Sequence, residues 1–265
     1  MLNKILIGIF VAALVVTIGV ASYNIVDVQA AGGVSAPAGG NGIGGNGSGN
    51  SSPVGTGVSV LNIPAADLSA DEAAALLFMR EEEKLARDVY TKLYEVWGLP
   101  TFQNIASSEQ MHMDEIALLL VRYNLNDPAQ APGVFTDAKL QDLYNALVAQ
   151  GSQSMAEALK VGGAIEEIDI QDLQTRLAKT DNADIQQVYN NLMNGSYNHL
   201  RAFARAYTNQ AGSQYAAQYL GNDALNTILS GTTGNSNTGN NGQANPLGES
   251  AGRPTWAGGN NRGNH

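Results

Sequence analysis

The chain has 265 residues, with 24 acidic against 14 basic side chains, 30 glycines and no cysteine. The absence of cysteine excludes a disulfide scaffold, thiol catalysis, cysteine-ligated zinc and iron–sulfur clusters. The formal net charge of −10 argues against a nucleic-acid partner, because an acidic surface repels phosphate. Twenty of the 30 glycines fall in residues 31–57 and 228–265, so the segment between them has the glycine density of an ordinary helical domain.

The N-terminus has the pattern of an export signal. Lys4 precedes residues 5–21, a run without charged side chains, and a signal-type cleavage site ends at Ala30. The apolar run is long for a signal peptide and slightly short for a membrane-spanning helix. Residues 1–30 are therefore predicted to be either a signal peptide or an N-terminal membrane anchor, with 5–21 as the tether. Both alternatives predict an extracytoplasmic protein, secreted or tethered to the outer face of the cytoplasmic membrane.

Two low-complexity segments flank a single folded domain. Residues 31–57 are rich in Gly, Asn and Ser and contain too little apolar material to fold, which predicts a disordered linker. Residues 230–265 are rich in Gly and Asn and predict a disordered tail. The domain between them, residues 58–229, is long enough to bury a core without disulfides.

Proline, glycine and capping residues divide this domain into helices whose apolar residues recur with a period near 3.6. Ser69 and Glu72 predict a capping box before the first helix, and Ser154 and Glu157 predict another before the fourth. Thr101 is the predicted cap of the second helix. The predicted helices are 70–97, 101–124, 137–150, 155–179, 183–209 and 213–229. Since no segment alternates polar and apolar residues over a useful length, the predicted class is all-α.

Four of the predicted helices are long, and the connection between the second and third of them is also long. It holds two prolines and the short helix at 137–150. Such a crossover is typical of a four-helix bundle in the ferritin-like arrangement. Residues 213–229 then add a C-terminal helix to the predicted bundle.

Each long helix carries residues that can bind metal in the middle of its apolar stripe. Steps of three and four residues along the first helix lead from Leu76 through Glu83 to Trp97, so Glu83 faces the core. Mid-helix positions of antiparallel helices share one layer of a bundle. Burying several carboxylates and imidazoles together is costly unless a cation pairs with them. The same steps on the other helices select Glu109, His112, Glu166, the less directly inward Asp169, and His199.

Carboxylate oxygen and imidazole nitrogen are ligands for iron, manganese and zinc. Glu109 and His112 form a Glu-x-x-His pair, whose spacing places both groups on one helix face, one turn apart. Of the three histidines, one ends the chain, and His112 and His199 both belong to the inward set. The predicted cofactor is iron, as one or two ions, with manganese or zinc as alternatives. The predicted metal ligands are Glu83, Glu109, His112, Glu166, His199 and Asp169.

Four motifs stand in order along the domain: REEEKLARDVY at 80–90, SSEQMHMDEI at 107–116, AIEEIDIQDL at 164–173 and NGSYNHLRAF at 194–203. Together they resemble the DUF2202 family, a ferritin-like group of uncharacterised function. The resemblance covers about residues 65–210, which is most of the predicted domain. It implies a ferritin-like fold and a carboxylate site for two metals.

Carried over to this sequence, the resemblance also implies a role for each ligand. Ser196 stands where the two-metal pattern has the glutamate of a second Glu-x-x-His pair. This implies an asymmetric two-metal site, or one well-held metal with a weak second position, with Asp169 as a source of the missing oxygen. The implied ligands are Glu109 as the bridge, Glu83 and His112 on one metal, and Glu166 and His199 on the other.

Two functional hypotheses follow. The first is an exported ferritin-like metalloprotein that binds iron and has oxidase, ferroxidase or peroxidase activity. The second is a non-catalytic, surface-tethered interaction or structural module with a degenerate metal site, in which the same acids and histidines form a hydrogen-bond network. The predicted partner is a metal ion, and the sequence leaves turnover and oligomeric state open.

The residues around the predicted ligands have simpler interpretations. Tyr90 is interpreted as a core residue whose hydroxyl group is hydrogen-bonded. Gly162 and Gly163 are interpreted as allowing close approach of a neighbouring helix. A solvated face of the first helix is predicted at Glu81, Glu82, Lys84 and Arg87.

Overall fold

A computed structural model describes residues 60–231 of the chain. None of these residues is in a β-strand, so the described fold is all-α, as predicted. The helices that lie wholly within this range are α1 Ala70–Trp97, α2 Pro100–Arg122, α3 Ala138–Gly151, α4 Met155–Leu177, α5 Ala183–Ala211 and α6 Asn222–Leu229. The short helix α3 lies in the crossover between α2 and α4.

Both predicted serine caps are present. Ser69 Oγ accepts a hydrogen bond from the Glu72 amide at 3.2 Å, and Glu72 Oε2 accepts one from the Ser69 amide at 3.0 Å. This capping box begins α1 at the predicted residue. Ser154 Oγ accepts a hydrogen bond from the Glu157 amide at the start of α4, which is the serine half of the predicted capping box.

The start of α2 differs from its prediction. Leu99 is the N-cap residue and makes no side-chain capping bond, so the predicted cap at Thr101 was wrong. Pro100 is the first helical residue, where its fixed φ suits the helix and the missing N–H leaves no hydrogen bond unmade. The proline therefore determines this helix end without a polar cap.

The segment before α6 is irregular, although a helix beginning at residue 213 was predicted. Gly212 follows α5 in the left-handed conformation, with φ of 67°. Glu167 is fully buried on α4, and its Oε2 accepts hydrogen bonds from three successive amides, those of Gln218, Tyr219 and Leu220. Because these amides are bound to a side chain, the helix begins only at Asn222.

The four long helices contact one another in a closed cycle. Helix α1 packs along α2 and α4 packs along α5, while contacts of α2 with α5 and of α1 with α4 complete the cycle. Helix α3 lies against α1 and α4, and α6 lies against α5. Each fully buried large side chain contributes roughly 1.5–3 kcal/mol to this packing. Within residues 60–231, no helix combines the length and apolar character that crossing a membrane requires.

One face of α1 that was predicted to be solvated is buried under the crossover. Lys84 is fully buried, and its Nζ donates to Asp88 Oδ2 at 2.6 Å and to the Val134 carbonyl at 2.9 Å. The Gly133 amide donates to the same Asp88 oxygen at 2.8 Å. Only Arg87 of the predicted face keeps substantial exposure. The interpretation was wrong for the three buried residues Glu81, Glu82 and Lys84.

The predictions for the ends of the chain fall outside the described residues. They concern the signal peptide or anchor at 1–30 and the linker at 31–57. All of the predicted tail beyond residue 231 is likewise outside. Residues 60–231 lie almost wholly within the predicted domain, 58–229.

Candidate metal centre

The structure brings the predicted metal ligands to the middle of four helices. All six are more than nine-tenths buried. Helical register explains their direction, since Met79 and Tyr90, one and two turns from Glu83, are fully buried on the same stripe. The ligands by helix are Glu83 on α1, Glu109 and His112 on α2, Glu166 and Asp169 on α4, and His199 on α5.

Glu83, Glu109 and His112 form the first ligand group. His112 Nδ1 lies 3.2 Å from Glu83 Oε2 and 2.8 Å from Glu109 Oε2. One ligand atom of each residue lies within 4.8 Å of the other two. Two carboxylates and an imidazole at this spacing can hold a divalent cation.

Glu109, Glu166 and His199 form the second ligand group. His199 Nδ1 lies 2.8 Å from Glu109 Oε1 and 3.5 Å from Glu166 Oε2. Glu109 therefore belongs to both groups, with one oxygen turned to His112 and the other to His199. The two imidazole rings lie side by side, with centroids 5.4 Å apart. A carboxylate in this position can bridge two cations.

Two polar atoms of the centre have no hydrogen-bond partner in the described part of the chain. They are Glu83 Oε1 and Asp169 Oδ1. A buried polar atom left unpaired costs roughly 1–3 kcal/mol. A cation bound among these atoms would remove that cost. Carboxylate oxygen and imidazole nitrogen together fit iron, manganese or zinc.

The buried charges shift one another's pKa values. Burial raises the pKa of Glu83 and of Glu166 to about 7, against a smaller opposing effect of the neighbouring imidazoles. Burial acts in the same direction on Glu109, but the two imidazolium charges prevail and hold the pKa of Glu109 well below its usual range.

The pKa values of the two imidazoles are raised, whereas that of Glu109 is lowered. Burial lowers the pKa of both rings, but the charge of Glu109 outweighs it. The pKa of His199 rises to about 10, and that of His112 rises well above its ordinary value. Without a cation, the centre therefore retains protons that a metal ion would displace.

Asp169 and Ser196 lie beside the two ligand groups and belong to neither. Ser196 Oγ donates a hydrogen bond to Asp169 Oδ2 at 2.5 Å. The hydroxyl group of Ser196 on α5 thus pairs with a carboxyl group on α4. Asp169 lines the same cavity as Glu83 and Glu166, and its role as a source of the missing oxygen stays a prediction.

Two hydrogen bonds orient the second ligand group. Tyr90 OH donates to Glu166 Oε1 at 2.5 Å, while its ring packs against Phe203 with centroids 5.0 Å apart. Tyr90 is thus a core residue with a bonded hydroxyl group, as interpreted, and it also positions the candidate ligand Glu166. Ser108 Oγ lies 2.9 Å from His199 Nε2, which fixes the ring nitrogen opposite Nδ1. This role of Ser108 was not predicted from the sequence.

Gly195 on α5 leaves the space that the His112 ring occupies. A Cβ atom at this position would overlap with His112 Nε2 and Cε1. We expect Gly195→Ala to displace the ring and to weaken metal binding by about ten-fold, or roughly 1.4 kcal/mol. This loss is expected even though alanine favours a helix over glycine by roughly 1 kcal/mol. Titration of the metal-free protein with Co(II), followed by its visible absorption, measures the change.

Gly221→Ala is the matched control for Gly195→Ala. A Cβ atom at residue 221 meets nothing within 4 Å, and the φ of −69° suits alanine. Its Co(II) affinity should equal that of the wild type. Unchanged affinity in Gly195→Ala would contradict a role for His112 as a ligand. A glycine in the interior of a 29-residue helix is the sequence signal that could have revealed this close contact.

A cavity of about 30 Å³ lies against the carboxylates of the centre. This space is large enough to hold a molecule of the size of water. Acids of α1, α2 and α4 line one part of the cavity, and apolar side chains line the rest. The apolar lining comes from α1, α3 and α4: Phe78, Leu85, Leu140, Leu143, Leu147, Ile165 and Ile168. The crossover helix therefore covers the centre on this side.

The fold and the site define an all-helical protein with two adjoining Glu/His groups in its core. The profile of the family described as "Uncharacterized protein domain (DUF2202)" matches residues 72–232. The match covers more than half of the chain, and the chain belongs to the DUF2202 family. This confirms the resemblance that the four sequence motifs indicated.

The chain is similar to the uncharacterized protein MJ0754 of Methanocaldococcus jannaschii. The two are 48% identical over 176 residues, which are 66% of this chain and 95% of the relative. Among solved structures, the crystal structure of hypothetical protein MJ0754 from Methanococcus jannaschii DSM 2661 matches with a TM-score of 0.62 and 49% identity. That similarity covers 64% of this chain and 97% of the other.

Proposed function

We propose that this protein is a ferritin-like metalloprotein that binds iron, as one or two ions, inside a four-helix bundle of α1, α2, α4 and α5. The position of Glu109 carries the proposal. Its two oxygens each lie 2.8 Å from the Nδ1 atom of a different imidazole, so one carboxylate serves both ligand groups. The long crossover that holds α3 supports the ferritin-like comparison. Manganese and zinc are the alternative cations.

The two groups are proposed to differ in affinity. Glu166 shares its carboxylate with the Tyr90 hydroxyl group, and it lies 3.5 Å from its imidazole. Glu83 lies nearer its imidazole, at 3.2 Å, and its Oε1 is unpaired within the described residues. The position at Glu83 and His112 is therefore the stronger one, and the second is the weaker.

An iron centre in this place would supply electrons for oxidase, ferroxidase or peroxidase chemistry. The residues of the chain hold and orient it. Tyr90 and Ser108 fix the directions of a carboxylate and an imidazole through hydrogen bonds. The apolar wall from α3 keeps bulk water away from the carboxylates and leaves room only for a small molecule.

The proposed location is extracytoplasmic. The uncharged run at 5–21 and the cleavage pattern before residue 31 support export, either by a signal peptide or through a retained membrane tether. The metal ion would then be acquired outside the cytoplasm. A site built from oxygen and nitrogen ligands alone, with no cysteine, is compatible with an oxidising compartment.

Metal analysis of the natively purified full-length chain tests the function. We expect iron in the purified protein, and a lower melting temperature after treatment with a chelator. Adding Fe(II) without oxygen should restore the melting temperature, because a ligand that binds only the folded state stabilises it. A chain that contains no metal, and whose melting temperature responds to neither chelator nor Fe(II), would contradict the proposal.

The hydrogen bond between Ser196 and Asp169 favours a second candidate, a non-catalytic interaction or structural module with a degenerate site. In that protein the acids and imidazoles would stabilise the fold as a buried network. The double variant His112→Gln/His199→Gln separates the two functions. Under the structural alternative, the wild type and the double variant show the same insensitivity to Fe(II). Under the metalloprotein proposal, only the wild type is stabilised.

A further inference from the structure

Three further acids line the cavity that lies against the centre. Glu82 on α1, and Asp169 and Asp172 on α4, face the same space as the acids of the two ligand groups. Asp169 and Asp172 are one helical turn apart, and Glu82 comes from the helix that packs against theirs. The acids therefore form a continuous row along one cavity.

Exposure changes in order along this row. The side chain of Asp172 is 23% exposed to solvent. As whole residues, Glu82 and Asp169 are 8% and 7% exposed, and the three glutamates of the centre are only 2% exposed. The row thus connects the surface to the centre.

Each buried acid of the row has one carboxyl oxygen without a hydrogen-bond partner in residues 60–231. Glu82 Oε2 and Asp169 Oδ1 have no hydrogen-bond partner there, although both residues are more than nine-tenths buried. Arg176 is a cationic side chain beside the outer acid, with its Nη2 3.9 Å from Asp172 Oδ2. Its guanidinium carbon lies 4.7 Å from the centre of the Phe78 ring.

We propose that Asp172, Glu82 and Asp169 form an access path along which a divalent cation passes from solvent to the Glu/His centre. The path rests on the proposed metal-binding function. Carboxyl oxygens without a hydrogen-bond partner can coordinate a cation that enters the cavity, and the apolar side chains around them exclude competing water. Each step of the path offers fewer ligands than the centre, so the cation is bound weakly in transit and tightly at the end.

The rate of metal uptake tests the path. Metal-free full-length protein is mixed with Co(II) in a stopped-flow instrument, and the visible absorption of the bound ion is followed. We expect Glu82→Gln/Asp172→Asn to take up Co(II) about ten-fold or more slowly than the wild type, to the same final stoichiometry.

The control Glu95→Gln/Asp142→Asn removes the same two charges from exposed positions on α1 and α3. Its uptake rate should stay close to that of the wild type. If Glu82→Gln/Asp172→Asn does not fold, the single variant Asp172→Asn is used instead, because its partly exposed side chain tolerates an amide. It should also take up Co(II) more slowly than the wild type.

The outcomes separate the path from the function on which it rests. Uptake by the double variant at the wild-type rate overturns the path and leaves the metal centre intact. A lower final stoichiometry also overturns it, because the residues would then be ligands of the centre. A wild type that takes up no Co(II) contradicts the proposed function itself.

Discussion

Glu109→Ala is expected to abolish metal binding at both positions of the centre. The carboxylate is common to the two ligand groups, so one substitution removes a ligand from each. In the metal-free protein the same change leaves His112 and His199 without the charge that raises their pKa values. Breaking a buried charge pair costs about 3–5 kcal/mol, so the variant should also unfold at a lower temperature. Metal analysis and thermal unfolding with and without Fe(II) measure both effects.

Two comparison variants show whether the loss of metal in Glu109→Ala is specific to a carboxylate shared by both ligand groups. Glu83→Ala should lose one position and retain the other, because this carboxylate belongs to the first group alone. Asp114→Asn removes an exposed acid from the same helix and should leave the metal content unchanged. If Glu109→Ala keeps as much metal as Glu83→Ala, the shared role of Glu109 is wrong.

The residues of the centre could be predicted because each helix imposes a regular period. Steps of three and four residues from Leu76 reach Glu83, and the structure places both in the buried stripe of α1. Glu109 and His112 are separated by one turn, so their common face followed from the sequence as well. Charged residues in the middle of an apolar stripe are informative because burying them is costly.

The contacts that orient the ligands could not be predicted in the same way. Tyr90 and Glu166 are 76 residues apart in the chain, and Ser108 and His199 are 91 apart. Periodicity places each residue on a face of its own helix but does not say which residue of another helix it will meet. These pairs depend on the relative height and rotation of packed helices.

The buried charges of α1 show a second limit of sequence periodicity. Lys84 and Asp88 are buried because the crossover folds over them and supplies backbone partners 50 and 45 residues away. Glu167 similarly accepts hydrogen bonds from backbone amides more than 50 residues away, and the last helix is shorter than predicted. In each case a long-range contact decides burial, so a helical pattern alone assigned these segments wrongly.

The metal-free protein is expected to lose stability as the pH rises from about 5.5 to about 8.5. The pKa values of Glu83 and Glu166 are raised to about 7, so the folded state holds more protons than the unfolded state. Stability from these two groups is greatest below the ordinary value of 4.5 and has been lost once the pH passes 7.

The other groups of the centre do not oppose this loss of stability between pH 5.5 and 8.5. The raised pKa of His199 contributes stability below 6.5 that is lost as the pH approaches 10. The lowered pKa of Glu109 has the opposite sign, but its contribution changes only as the pH falls below 4.5. The melting temperature of chelator-treated protein should therefore fall by more than about 5 °C over the range, since roughly 1 kcal/mol corresponds to 2–4 °C in a domain of this size.

A bound cation is expected to reverse this dependence. Metal binding needs deprotonated ligands, so affinity for Fe(II) or Co(II) should rise with pH as Glu83 and Glu166 lose their protons. The stabilisation by metal is then largest where the metal-free protein is weakest, and binding should release protons that a weakly buffered titration detects. Glu83→Gln/Glu166→Gln, which keeps the shape without the titration, should flatten the pH profile of the metal-free protein. A melting temperature that rises with pH in chelator-treated wild-type protein would show that the two carboxyl groups are not held protonated in the folded state.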